Sequence, residues 1–405
     1  MKNIASLSVL QAITYFLPVI ILPYLFRVLG PEKFGLIAFA QAFVQYFMIL
    51  TDYGFSISAT KEISIHREVH AKVCKAFSTV MTVKIGLAFL SLLALGAIVY
   101  FIPKFRNDWM VYVLSFGAVV GNTLFPIWFF QGTEKMKYIA DLNIAGGVIT
   151  ALLIFLFVRR PQDYLLVPLI NSAVFLVTGL AGQYIVFRKF RVSFKFQGYK
   201  NIQQQLKAGW DIFISIAAIN AYTTTRVFAI GLLTNNTITG FYSIAEKIAN
   251  FFQTFPLSSF TQALFPRLSR IFHKNKIKAI RIMQRLQQIT TNAALIFLPS
   301  VFIFAHVIVR VACGGDYPET VLALRLLLIS VFFVCANSFR VQFLLVCGKT
   351  HIYSRIHVIM AMIGLPLIFL LISSFSYVGA AIATVAIEAG IFIITYFTVR
   401  KLSFY

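Results

Sequence analysis

Nine ionisable side chains lie inside long apolar stretches of this 405-residue chain: Asp52, Lys84, Asp211, Arg226, Glu246, Lys247, Arg325, Arg340 and Glu388. Arg27 and Asp141 sit near the ends of such stretches. A charge in apolar surroundings is costly unless it is paired or used, so these positions are where chemistry is to be sought. Cations facing an interior cavity (Arg27, Lys84, Arg226, Lys247, Arg325 and Arg340) would attract a phosphate or pyrophosphate. The plainer alternative for Lys247, Arg325 and Arg340 is that they snorkel or bond main-chain carbonyls, and for Arg340 that alternative leads. The carboxylates Asp52, Asp211, Glu246 and Glu388 are candidates for ion coupling or for pairing with those cations.

Spacing assigns some pairs. Arg226 and Glu246 are each ten residues from Asn236, the turn between two apolar stretches, and should lie at equal depth on antiparallel neighbours. Asp52 and Lys84 both fall about two helical turns from the same membrane face, which suits a second pair. Asp211 is expected in the first turn of its helix, where the dipole favours an anion. Lys247 follows Glu246 directly, so on a helix it points about 100° away. Glu388 is left as the one carboxylate at mid-depth without an assigned partner.

The elements that must hold these residues are membrane helices. The chain is 59% hydrophobic and only 12% charged, and 43 of its residues are phenylalanine. Its mean hydropathy is +0.84. A soluble protein of this length needs more polar surface. With about 20 apolar residues per crossing, twelve spans are expected: 4–29, 35–58, 76–102, 109–131, 139–158, 164–187, 206–233, 238–262, 284–310, 318–346, 350–372 and 376–399. Connections are short, the longest being the basic ones at 59–75, 188–205 and 263–283.

Lysines and arginines concentrate in every second gap between spans. The blocks 188–207 and 267–285 are basic, whereas 233–238 and 372–377 carry no charge. With both termini cytoplasmic, 24 cations fall on the inner side and 7 on the outer, with five inside spans. Short cytoplasmic loops retain positive charge, so the bias fixes an even number of spans. It also reads the net charge of +23 as topology and gives no sign of a nucleic-acid partner. Anionic lipids are expected partners, because Ile65, Val69, Val73 and Phe77 form an apolar stripe opposite basic residues, as on an interfacial helix.

No cofactor or metal is implied. His66 and His70 are four apart but lie among basic residues, and the four cysteines show neither metal spacing nor a disulfide framework. The first apolar stretch is too long for a signal-peptide core and reads as a span. Pro18 and Pro23 within it suggest a bend that could serve as a gate. The chain also looks doubled: 36–47 lies against 241–252, with Gln41 facing Glu246, which agrees with six spans per half. The expected halves are 1–195 and 196–405.

Residues 6–64 resemble the bacterial polysaccharide-unit (O-antigen) flippases of the multidrug/oligosaccharidyl-lipid/polysaccharide exporter superfamily. The resemblance is carried by Leu22-Pro23-Tyr24, Arg27 through Pro31, Phe34-Gly35, Asp52-Tyr53-Gly54-Phe55 and Ser58 through Ile63. The block 240–269 and the pair Gly209-Trp210 are similar to the same family. The resemblance implies an all-α polytopic membrane protein, with two pseudo-symmetric six-helix bundles around a central cationic cavity open alternately to each side. It implies a substrate built of sugars on undecaprenyl pyrophosphate, an inner-membrane location, and a polysaccharide polymerase and chain-length regulator as partners. A cation-coupled drug exporter of the same superfamily is the competing reading, but span cations outnumber span acids. A membrane polymerase or ligase would display a long outer loop, and every outer gap here is short.

Overall fold

The structure is a computed structural model that describes residues 2–403, with the side chains of 17–254, 268, 271–272 and 275–402. Sixteen α-helices and one 3-10 turn at Pro161–Leu165 make up all the regular structure among the described residues. Hydrocarbon offers backbone groups no partner, so a helix, which satisfies them internally, is the economical way across.

In chain order the helices are α1 (Lys2–Asp52), α2 (Phe55–His66), α3 (His70–Phe101), α4 (Pro103–Arg106), α5 (Trp109–Leu124), α6 (Ile127–Gly132), α7 (Met136–Phe157) and α8 (Leu166–Lys189). The second half holds α9 (Tyr199–Thr223), α10 (Thr225–Leu233), α11 (Asn236–Lys274), α12 (Lys276–Ile303), α13 (Ala305–Cys313), α14 (Pro318–Cys335), α15 (Ser338–Val346) and α16 (Thr350–Ser403). Each of the twelve expected spans falls on these helices. At 51 and 54 residues, α1 and α16 are far too long for one crossing. Each is divided by a single non-helical residue, Gly30 (φ 73°) and Ser376 (φ 54°). The pair α9 and α10 bends by 47°.

The chain falls into two compact units, one of 1–21 with 28–217, the other of 22–27 with 218–405. A related break recurs in each. The fourth span is interrupted between α5 and α6 at Phe125-Pro126, and the tenth between α14 and α15 at Ala336-Asn337. In both cases a glutamine from a neighbouring helix supplies the missing bonds. Gln183 Nε2 donates to the Leu124 carbonyl. Gln287 Oε1 accepts from the Phe339 and Arg340 amides at 3.0 and 3.3 Å.

Pro18 and Pro23 lie in the helical run before Gly30 and keep helical dihedrals, as a proline bend does, while the positive φ at Gly30 separates the first span from the second. Several local expectations are corrected. The stripe from Ile65 to Phe77 is not one interfacial helix. The chain breaks at Val69 (φ −107°, ψ 93°), leaving Ile65 exposed while Val73 and Phe77 are buried in the core. The connection 263–283 is helical rather than a loop, interrupted at Asn275, whose side chain caps α12 by accepting from Lys278 N at 2.8 Å. Arg267, Arg270 and Lys274 of the basic block 267–285 have side chains outside the described residues. In the doubled segment Gln41 is exposed and Glu246 buried, so that matched pair does not share an environment.

The first unit is organised around the corner between α1 and α2. Tyr53 (φ 45°) and Gly54 (φ 74°) turn the chain in left-handed conformations. The corner presses on α9: a Cβ on Gly54 would meet Ile212 Cγ2 at 2.7 Å, and one on Gly209 would meet the Tyr53 carbonyl at 3.0 Å. The Tyr53 and Phe213 rings stack at 4.7 Å. Behind the corner, Phe55, Ala59 and Ile63 of α2 pack with Trp128, Phe129 and Phe130 of α6 and with Phe77 and Val80 of α3. The segment 190–198 is tied to α3 through Ser78, whose Oγ accepts from Lys195 N at 3.1 Å and donates to the Ser193 carbonyl at 3.3 Å. Gly117 and Gly121 bring α5 against Ser172 and Phe175 of α8.

Gly54→Val combines a strained positive φ with a steric clash, and strain of that kind alone costs about 1 to 3 kcal/mol. It should lower the thermal midpoint of the purified protein, whereas Gly86→Ala, whose Cβ meets nothing within 4 Å, should leave it unchanged or raise it. Equal midpoints for Gly54→Val and wild type would refute the close-packed corner.

Candidate functional site

In the first unit Lys84 of α3 is 1% exposed. Its Nζ lies 3.7 Å from Asp52 Oδ1 at the end of α1 and 3.4 Å from the Asn122 carbonyl of α5. An ammonium in so dry a place persists because a carboxylate and a carbonyl face it. Asp52 belongs to the same corner as Tyr53 and Gly54, so the turn that packs on α9 also delivers the counter-charge.

In the second unit Arg226 of α10 is the hub of a larger polar cluster. Its Nη2 is 3.3 Å from Glu246 Oε1 on α11, its Nη1 donates to Thr384 Oγ1 on α16 at 3.1 Å, and its Nε donates to the Thr223 carbonyl at 3.2 Å. Glu246 Oε1 has no aligned hydrogen bond, so its contact with Arg226 is one of charge. Tyr242 OH lies 3.4 Å from Thr384 Oγ1. Glu388, one turn beyond Thr384 on α16, is within electrostatic reach of Arg226, Tyr222 and Tyr353. The cluster ends at His357, whose Nδ1 is 2.9 Å from Tyr222 OH and whose ring stacks on that tyrosine.

The structure thus brings together both pairs expected from depth, Asp52 with Lys84 and Arg226 with Glu246. The other cations stand apart. Arg27 Nε donates to the Ala312 carbonyl at 3.0 Å and Nη2 donates to that of Val311, at the carboxyl end of α13. That is where a helix favours a cation. Arg325 lies over the Phe302 ring at 5.3 Å and donates to the Phe302 carbonyl at 3.3 Å. Arg340 donates to the Ala336 carbonyl and stacks on Phe392 and Tyr396. Lys247 is exposed, and no ion pair of it is found among the described residues. Asp211 is not in a first turn: α9 begins at Tyr199, three turns earlier, so the dipole argument lapses and the side chain is exposed.

Tyr222, Tyr242, Tyr353, His357 and Thr384 were missed by reading charge alone. Their signal was a histidine and three tyrosines inside apolar spans, polar tips that need partners once buried. Among the described residues no group of three metal-type ligands occurs.

Two helical units, each holding an ion pair inside apolar crossings, define a polytopic membrane protein whose interior is arranged around charge. The fold is that of the MOP superfamily. The lipid II flippase MurJ in an inward closed conformation matches it with a TM-score of 0.75 and 12% identity over 97% of this chain and 87% of that one. An inward-facing multidrug resistance MATE family transporter of that superfamily matches at 0.72 and 12% over 99% and 98%. Likeness at such identity is one of fold. In sequence, the profile of the polysaccharide biosynthesis protein family matches residues 1–272. An Escherichia coli (strain K12) protein named "Putative O-antigen transporter" is 31% identical over 389 residues, covering 96% of this chain and 93% of that protein. The chain belongs to the polysaccharide biosynthesis protein family.

Removing one partner of a buried pair costs about 3 to 5 kcal/mol, because the other charge is stranded. Arg226→Glu and Glu246→Arg should each lower the thermal midpoint, and the double reversal should regain part of the loss. Recovery stays partial because Thr384 and the Thr223 carbonyl bond the arginine where it now stands. A double variant as unstable as the two losses added would contradict the pair.

Proposed function

We propose that the chain is a flippase carrying undecaprenyl-pyrophosphate-linked oligosaccharide repeat units from the cytoplasmic to the periplasmic leaflet of the bacterial inner membrane. It works by alternating access and feeds O-antigen assembly. The observation that carries this reading is the likeness, over nearly the whole chain, to the protein named for O-antigen transport. The shared fold with a lipid II flippase supports it. On this reading residues 1–195 and 196–405 form two six-helix bundles and both termini are cytoplasmic, which the charge bias of 24 to 7 supports. The chain moves its substrate without altering it, and a polysaccharide polymerase and a chain-length regulator act on what it delivers.

The diphosphate needs a cation that is not already engaged. Lys84 and Arg226 sit in ion pairs, Arg27 and Arg325 donate to main-chain carbonyls, and Arg340 lines a groove with Arg400 at the basic ends of α12 and α16, away from mid-depth. Among the described residues Lys247 is the span cation that remains, and Glu388 is the carboxylate best placed to couple transport to an ion. A cationic-drug exporter would want free carboxylates, yet Asp52 and Glu246 are both held by cations.

Proteoliposomes containing the protein and a fluorescent lipid-linked oligosaccharide should expose the label to an external quencher far faster than protein-free vesicles. Lys247→Gln should slow this about tenfold, the worth of one charge-assisted hydrogen bond. Efflux of a cationic drug with no movement of the glycolipid would overturn the reading.

A further inference from the structure

A groove of about 460 Å³ opens in the second unit between the first turns of α12, the helix α15 and the last turns of α16. Its polar lining is Gln284, Gln287, Gln288, Arg340, Tyr396 and Arg400. Its apolar lining includes Ile280, Phe343 and Val399. We propose that this groove binds the headgroup of an acidic phospholipid. The proposal rests on the chain being embedded in a bilayer and is independent of what the protein transports.

Charge favours an anion there. The helices forming the groove bring Lys276, Lys278, Arg281 and Arg285 on α12, Arg340 on α15, and Arg400 and Lys401 on α16 to one end of the unit. Neither α12 nor α15 contains an aspartate or glutamate, and α16 contains only Glu388, two turns inward of Tyr396. Such a cluster holds an anion with no carboxylate to repel it.

The groove is also preorganised. The Arg340 guanidinium lies 4.9 Å from the Phe392 ring centroid and 5.2 Å from that of Tyr396. One of its nitrogens donates to the Ala336 carbonyl. A guanidinium fixed on aromatic faces keeps its edge for a phosphate, which its fork of donors fits. The neighbouring Gln287 is already committed to the α15 amides, to Thr291 and to Cys335, so the groove wall is rigid.

The surroundings indicate a lipid rather than a free anion. Ile277, Ile393 and Phe397 are 71%, 50% and 62% exposed on the same ends of α12 and α16. Large apolar side chains beside a basic groove suit acyl chains descending from a headgroup, and Tyr396, one turn before Arg400, is the kind of ring that favours such an interface.

The test titrates the purified full chain with phosphatidylglycerol and, separately, phosphatidylcholine of the same acyl chains, scoring bound lipid by native mass spectrometry. Wild type should prefer phosphatidylglycerol, and Arg340→Gln should weaken that preference about fivefold, the worth of one basic residue at a lipid surface. Gln288→Glu, an exposed change that leaves the packing alone, should weaken it as well by placing a carboxylate in the groove. Arg188→Gln, which removes a basic residue of the first unit, should not. A preference unchanged in both groove variants would overturn the proposal. So would full protection of the groove by inorganic phosphate alone, which would make it a free-anion site. Displacement of phosphatidylglycerol from the groove by stoichiometric undecaprenyl pyrophosphate would assign it to a transported lipid and overturn the proposal too.

Discussion

A charge cannot remain alone in hydrocarbon, and most of what is specific about this protein follows from that constraint. Arg226 is held by Glu246, Thr384 and a carbonyl, drawing α10, α11 and α16 together. Lys84 does the same for α1, α3 and α5 through Asp52 and the Asn122 carbonyl. Apolar packing alone would let such helices slide past one another, since lipid tails are as apolar as leucine. The pairs fix depth and register, and they do so once in each unit.

The same constraint governs the backbone. Where a span breaks, at Pro126 or Ala336-Asn337, a side chain from the next helix meets the freed groups, Gln183 in one unit and Gln287 in the other. Arg27 serves the carboxyl end of α13 in the same way. Several polar residues that look functional in the sequence are thereby engaged with main chain, which narrows the set open to a ligand to a few, Lys247 first among them.

Much of this was legible before the fold was known. The run of apolar segments gave twelve crossings, because hydrophobic length maps directly onto bilayer thickness. Equal distance from the Asn236 turn located the Arg226–Glu246 pair, since depth along antiparallel helices is a matter of counting. What could not be counted was missed. Asp211 was placed in a first turn because hydropathy marks where a helix enters lipid, not where it begins, and α9 starts well before. The positive φ at Gly30, which separates the first two crossings inside α1, leaves no mark on composition. The chain from Tyr222 to His357 joins residues 135 apart, a contact that no local pattern encodes.

Under the proposed function Lys247 is, among the described residues, the mid-membrane cation left for the diphosphate of a lipid-linked sugar. The most direct measurement is labelling of an Asn250→Cys variant, an exposed position one turn beyond Lys247 on α11, on a background free of other reactive cysteines, with a water-soluble maleimide in proteoliposomes. Labelling should proceed in the absence of ligand and be blocked by the undecaprenyl-pyrophosphate-linked oligosaccharide but not by a cationic drug. A cysteine at 250 that reacts equally with and without the glycolipid, or that the reagent never reaches, would contradict that role.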